Sequence, residues 1–463
     1  MYLSETNSRT KSHLNISNVE PRFGATKLAA GAPHIRAFCE CAGVCAIRCI
    51  LILAVISAAL LIAARPAQAQ TETVLYNFTG GSDGSHPDTG LTSDGAGNFY
   101  GATELGGLGC PGNGSGCGVV FEISPNGGGG WNETVLHSFS GPPDGANPVF
   151  APVVFDKVGN LYGTTGYGGS DNAGALYELS PAGASWTEAV LYSFGNDWYY
   201  PTSSLIMDSA GNLYGATNWG GDGDCGTVFE LSPSGGGWTA QVIYSLYCPP
   251  GSSGVIMDAA GNIFGASTST VFELSPNGNG GWNPTVIHTF PSGAKDGSVP
   301  WGTPVLDKAG NLYGTTYEGG AHNDGTVYKL TPVTKGKNKG TWKERILYSF
   351  KGGTNDGCNP EEAGIVFDTA GKGGTKDGCN PQGAGIVFDT AGDIYGTTYN
   401  GGTYGLGTVY ELVADDGKYK EKVLWSFNST DGANPSDSLI LDSAGNLYGT
   451  AESGGGVVFE VTL

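Results

Sequence analysis

Basic residues, histidine and methionine are scarce in this chain, and each scarcity removes a class of function. Lys and Arg number 22 of 463 residues against 43 Asp and Glu, and charged residues of both signs make up 14%. Nucleic acids and anionic membrane surfaces bind basic footprints, which a net charge of −21 does not supply. The cysteines show no CxxC spacing, and with 6 histidines in the whole chain a structural zinc site is not expected. There is no HExxH and no phosphate loop. After residue 69 no stretch holds a 3.6-residue apolar period, which excludes a helical domain and leaves an all-β chain.

The one long apolar run is confined to the start. Arg48 precedes Cys49–Ala63 (CILILAVISAALLIA), followed by Arg65, Pro66 and Ala67-Gln68-Ala69. A charged flank, a short apolar core and a small-x-small site describe a secretory signal, here with a long preceding segment and cleavage expected after Ala69. The run is too short for a spanning helix. Residues 1–69 are therefore set apart from the folded domain, 70–463, and no membrane insertion is expected after cleavage. Without them the chain keeps 15 basic against 40 acidic residues, the balance of a soluble exported protein. Secretion or periplasmic residence, as a monomer, is the expected location and state.

What is abundant is glycine, 80 residues of it, placed at fixed points of a repeat. The pattern DxAGNLYGTT, a glycine loop, GTVFELSP, a Trp-bearing loop and VLYSF recurs with its first Asp at 94, 156, 208, 258, 307, 389 and 442. Each unit holds four short runs rich in Val, Ile, Tyr, Phe and Thr, joined by turn-formers. Four strands per unit and a period of about 50 residues point to a seven-bladed β-propeller of four-stranded blades. The phase of the pattern adds a closure rule. Val74–Phe78 reads as a fourth strand without its first three, and Val457–Val461 as a third strand without its fourth. The N-terminal strand is therefore expected to pair with the last blade, with Val74, Tyr76 and Phe78 as its inward alternation. Residues 351–371 are nearly duplicated at 372–392, and the extra copy is expected to bulge from blade six.

VLYSF, DGANP, DSAGNLYGTT and GTVFELSP together resemble the repeat of exported proteins of the Gloeobacter/Verrucomicrobia (choice-of-anchor GloVer) type, over essentially all of residues 73–462. The resemblance implies an extracytoplasmic, propeller-like protein and carries no established activity. Many such proteins end in a sorting anchor. This sequence stops at Val461-Thr-Leu463, so free secretion or periplasmic residence is expected over covalent anchoring.

Six cysteines remain after export, in an oxidising compartment. Cys110 and Cys117 bracket one glycine loop and are expected to pair. Cys225 and Cys248 end adjacent strands on one side and form the second expected pair. Cys358 and Cys379 hold the same place in the duplicated segment and are a third candidate pair.

The candidate ligand residues lie on loops expected to share one axial face. They are the Asp-Gly aspartates Asp83, Asp144, Asp296 and Asp431, and the aromatics Trp219, Tyr317 and Tyr399. The competing reading of these aspartates is turn capping, as for the Asp of DxAGN, where calcium would need six to eight converging oxygens. Trp131, Trp186, Trp238, Trp282 and Trp342, placed four residues ahead of the fourth strand, read as packing on their own blade. Glu122, Glu178, Glu230, Glu273, Glu411 and Glu460 read as a row of contacts between blades. His137 and His288 read as replacements of Tyr192 or Tyr348. No metal, cofactor or catalytic residue is expected. The leading function is a non-catalytic propeller that binds an extracellular glycan or protein. Its rivals are a propeller enzyme acting on polysaccharide or lactone, and a structural surface protein without ligand. Two or more unlike carboxylates, or a His–carboxylate pair, in contact in the central channel would favour the enzyme. Export predicts an intact mass for the released protein that begins at Gln70; a product retaining Cys39–Cys49 would contradict it.

Overall fold

The computed structural model describes residues 70–463 except 111–113, 151, 202, 247–251, 292–295, 301, 352–377, 380–385, 436 and 453–454, and except the side chains of 252, 253, 378 and 379. Every regular element among them is a β-strand, and no helix is long and apolar enough to cross a membrane. Seven antiparallel four-stranded blades follow one another in a propeller. Blade two shows the plan: Val154–Phe155, Leu161–Thr165, Ala175–Ala182 and Ser185–Ser193 pair in chain order. Blade three adds a short strand, Trp198–Pro201, beside its long second strand Leu213–Gly220.

The turn between the first two strands is built by its own aspartate. Asp208 accepts the Ala210 and Asn212 backbone N–H groups at 2.8 and 2.9 Å, while Asn212 Nδ2 donates to its other oxygen at 2.8 Å. Asp94, Asp156, Asp258, Asp307 and Asp442 repeat that set. The Gly of LYGTT is required for a different reason. A Cβ on Gly163 would lie 2.3 Å from Tyr177 Oη, because the third-strand aromatic crosses flat over that glycine.

Three finer expectations change. The tryptophans stand at or one residue inside the start of the fourth strand rather than four residues before it, since Trp131–Ser138 and Ser185–Ser193 begin early. Three of them pack on the preceding blade: Trp238 on Tyr162 at 6.5 Å, Trp282 on Tyr214 and Trp342 on Phe264 both at 5.9 Å. The glutamate row works within each blade, since Tyr214, Tyr395 and Tyr448 donate to Glu230, Glu411 and Glu460, their cross-strand partners. Finally, the fourth strand carries a bulge that breaks simple alternation. In VLYSF the second residue has no partner, so Leu75 is buried while Val74 and Tyr76 are only half-buried.

The same bulge recurs in all seven blades. It shows that Thr71–Asn77 is a full fourth strand. This strand pairs antiparallel with Val457–Thr462, with Thr71 opposite Thr462 and Asn77 opposite Val457, so the seventh blade is assembled from both ends of the chain. Beyond each bulge a Phe, or Leu246 in blade three, reaches the third-strand aromatic of the next blade. Phe78 meets Phe121 at 5.0 Å, Phe139 meets Tyr177 at 5.0 Å and Phe427 meets Phe459 at 5.1 Å. The expected bulge of the duplicate 351–371 lies outside the described residues apart from Lys351, as does Cys358. Of Cys379 only the backbone is described, pairing with Asn400.

Deleting residues 70–79 would strip the outer strand from Val457–Thr462 and remove the Phe78–Phe121 contact. The truncated protein is expected to lose its cooperative melt or to associate through the bared edge. Phe78→Ala alone should cost ~3–5 kcal/mol in denaturant unfolding. Unchanged melting and solubility after the deletion would contradict closure.

Candidate functional site

The Asp-Gly loops and the glycine loops after GTT do share a face, through short ladders. Ser85 bridges Leu105, Ala146 pairs Tyr167, Tyr199 pairs Trp219 and Ser298 bridges Glu318. The carboxylates of the Asp-Gly loops nevertheless turn away from the axis, because they are held inside their own turns. Asp83 accepts Thr79 N–H at 2.8 Å and Thr79 Oγ1 at 2.6 Å; Asp144 accepts Ser140 N–H at 2.9 Å and Gly145 N–H at 2.6 Å. Asp431 accepts Asn428 N–H at 2.8 Å and Trp425 Nε1–H at 3.2 Å.

These aspartates line the seams between blades. Each faces a glutamate on the fourth strand of the following blade. Burial first, and then the neighbouring aspartate, push Glu72 (beside Asp431), Glu133 (beside Asp83) and Glu344 (beside Asp296) from 4.5 up to about 7. Asp83 and Asp144 themselves are shifted down, the hydrogen bonds they accept outweighing their burial.

A second acidic set converges on the axis. Asp88 precedes the first strand of blade one and is 6% exposed. Burial, followed by the charges of Glu452 and Glu104, holds its carboxyl well above the ordinary range. Its Oδ1 is buried without a hydrogen-bond partner. Glu452 arrives from blade seven and accepts Tyr399 Oη from blade six at 3.2 Å. Tyr200, entering blade three from the other side, is pushed up to about 12 by burial, by Tyr167 and then by Glu104 and Asp88. Tyr399 in turn feels Glu452, Asp88 and Tyr317. Residues of blades one, three, six and seven are thus within electrostatic reach of Asp88. Asp437, half-buried nearby, is pushed up to about 7 by desolvation, against the bonds it accepts from Ser438 N–H at 2.5 Å and Gly90 N–H at 2.6 Å.

Aromatics border this mouth on blades two and three. Tyr167 and Tyr200 meet edge to face at 5.1 Å. Tyr199 and Trp219 lie parallel, 6.5 Å apart with 11° between their planes. Tyr167 is 45% and Trp219 39% exposed.

Among the sequence candidates, then, Tyr317 and Tyr399 come together at the axis and Trp219 stands at its rim. Asp83, Asp144, Asp296 and Asp431 are distributed around the seams. Asp88, Glu104, Glu452 and Tyr200 were missed. Their signal was departure from the repeat: the residue after GTT or its equivalent is Glu104, Gly166, Asn218, Thr268, Tyr317, Tyr399 and Glu452 in successive blades, beside nearly constant neighbours. The chain breaks its symmetry at this position, with Glu104 and Glu452 where other blades carry Gly166, Asn218 or Thr268. Cys110 and Cys117 form a disulfide with Cα atoms 5.1 Å apart. Cys225 is also disulfide-bonded, and Cys248, its expected partner, lies outside the described residues.

The Gloeobacter/Verrucomicrobia repeat matches residues 61–198 and 110–270. No curated protein matches the sequence. Among solved structures, virginiamycin B lyase from Staphylococcus aureus is similar at 12% identity and a TM-score of 0.50, over 85% of this chain and 99% of the lyase. The extracellular domain assigned to a hybrid two-component system of B. thetaiotaomicron aligns at 12% identity and 0.48, over 84% of this chain and 41% of that one. A Bacteroides uniformis protein described as a 6-phosphogluconolactonase aligns at 12% identity and 0.43, over 73% and 84%. At such identities the likeness is one of fold.

The seam glutamates set a pH dependence. Their folded pKa values lie above the unfolded value, so their contribution favours folding fully below about pH 4.3 and is lost as pH rises through 7. The lowered aspartates act below that window. Thermal melts should therefore fall between pH 5 and 8 for the wild type, and the combined variant Glu72→Gln, Glu133→Gln, Glu344→Gln should flatten the fall. Equal slopes would contradict the assignment.

Proposed function

We propose that this Gloeobacter/Verrucomicrobia repeat protein is an exported propeller that binds a glycan on its axial face. The observation that carries the reading is the convergence of unlike carboxyls, Asp88, Glu104 and Glu452, beside the exposed aromatics Tyr167 and Trp219 and the half-buried Tyr199. Sugars present both complements. Their C–H faces stack on flat rings, and their hydroxyls donate to and accept from carboxyl groups. The acidic mouth repels uronic and sialic acids and favours neutral or amino sugars. The signal-like segment at 49–69 and the disulfides support an extracytoplasmic setting.

A second reading, an enzyme cleaving such a glycan, is favoured by one observation: burial, and then the charges of Glu452 and Glu104, hold the Asp88 carboxyl well above the ordinary range, as a general acid requires.

A glycan array with residues 70–463, followed by calorimetry on the best oligosaccharide, tests both readings. Trp219→Ala and Asp88→Asn should each weaken binding by about tenfold or more, a loss of ~1.4 kcal/mol or above. Absence of any glycan ligand, or affinity indifferent to both substitutions, would overturn the proposal. Release of cleaved product that stops with Asp88→Asn would select the enzyme.

A further inference from the structure

We propose that His137, Asp144 and Glu188 form a divalent-cation site of the zinc class at the seam between blades one and two. His137 lies at the end of the blade-one fourth strand, Asp144 in the loop that follows, and Glu188 on the fourth strand of blade two. The last partner is distant in sequence, which is why His137 reads from sequence alone as a tyrosine replacement.

Three facts carry the site. First, the ligand atoms of the three residues lie within 4.8 Å of one another, the one such group among the described residues. His137 Nε2 and Asp144 Oδ2 are 3.3 Å apart. Zinc bonds of ~2.0–2.2 Å in a tetrahedron place ligand atoms about that far from each other. Second, Glu188 Oε1 is closed to solvent and has no hydrogen-bond partner. A desolvated carboxylate oxygen facing Asp144 is unfavourable unless a proton or a cation meets it. Third, the site is oriented and open on one side. Ser140 N–H and Oγ–H at 2.9 and 3.0 Å and Gly145 N–H at 2.6 Å fix the Asp144 carboxylate. The His137 ring stands edge-on to Phe139 at 4.8 Å. The His137 and Asp144 side chains remain 21% and 15% exposed, which leaves room for water as a fourth ligand.

The other seams show what the histidine changes. Tyr76 Oη and Trp425 Nε1 donate to Asp83 and Asp431 at 3.2 Å. A tyrosine hydroxyl or an indole N–H fills that place with a hydrogen, whereas neutral imidazole can turn a lone pair to a metal. The seam of His288, Asp296 and Glu344 repeats the residue types without closing to the same distances. One nitrogen with two carboxylates suits zinc; calcium would need more oxygens.

The test uses the tag-free exported chain, residues 70–463, stripped with chelator and titrated calorimetrically with Zn²⁺ and with Ca²⁺ at pH 7.5. The expected result is saturable uptake of one Zn²⁺ per chain with no Ca²⁺ uptake at this site. His137→Tyr installs the residue native to the same place in other blades (Tyr76, Tyr192, Tyr244, Tyr348), so it should fold with unchanged melting. It should abolish that uptake, His288→Tyr should leave it intact, and Glu188→Gln should weaken it about tenfold or more. No stoichiometric Zn²⁺ uptake by the wild type, or uptake unchanged in His137→Tyr, would overturn the site.

Discussion

The contact on which this molecule depends is the aromatic that each blade passes to the next. After the bulge in every fourth strand, a Phe (Leu246 in blade three) lies against the third-strand aromatic of the following blade, as in Phe194 on Phe229 at 5.3 Å and Phe290 on Tyr328 at 5.0 Å. Each such residue is buried, worth ~1.5–3 kcal/mol of apolar transfer, with ~0.5–1.5 kcal/mol more for the ring pair. A single blade has one face of this contact and cannot bury it alone. Only a ring supplies both faces everywhere, and the ring is complete only because Phe78, from the N-terminal strand, meets Phe121 while Phe427 meets Phe459.

Closure also creates the chemistry. Joining the ends places blade seven beside blade one, and with it Glu452 beside Asp88 and Glu104. Thr450 Oγ1 donates to the Thr89 carbonyl at 3.2 Å and Gly90 N–H to Asp437 at 2.6 Å, so the same seam is bonded through its innermost strands. Tyr399 Oη meets this acidic set by donating to Glu452 at 3.2 Å.

Much of the fold was legible in the sequence because repetition encodes local structure. The Asp-x-x-Gly-Asn turns, the glycine under the third-strand aromatic and the strand order all act over a few residues. What was not legible depends on register or on blades far apart in the chain. The bulge at Leu75 needs a partner strand to be seen, and so does the Tyr448–Glu460 pairing that places the glutamate row inside blades. The axial set was hidden for a further reason. Repeat reading weights what recurs, whereas Glu104, Tyr399 and Glu452 differ at a single position of the repeat. The Asp-Gly aspartates recur and were legible, yet their turns hold them at the seams.

The central claim, that the seventh blade is built from both chain ends, is tested most directly by a cross-link at a register pair. Thr71 and Thr462 are opposite each other in the ladder. With Thr71→Cys and Thr462→Cys introduced together and mild oxidation, peptide mapping should find the two ends joined within one monomer, since antiparallel partners lie in the ~4.4–6.8 Å Cα range a disulfide spans. Both thiols remaining free in the folded monomer, or a link found only between two chains, would contradict the closed ring.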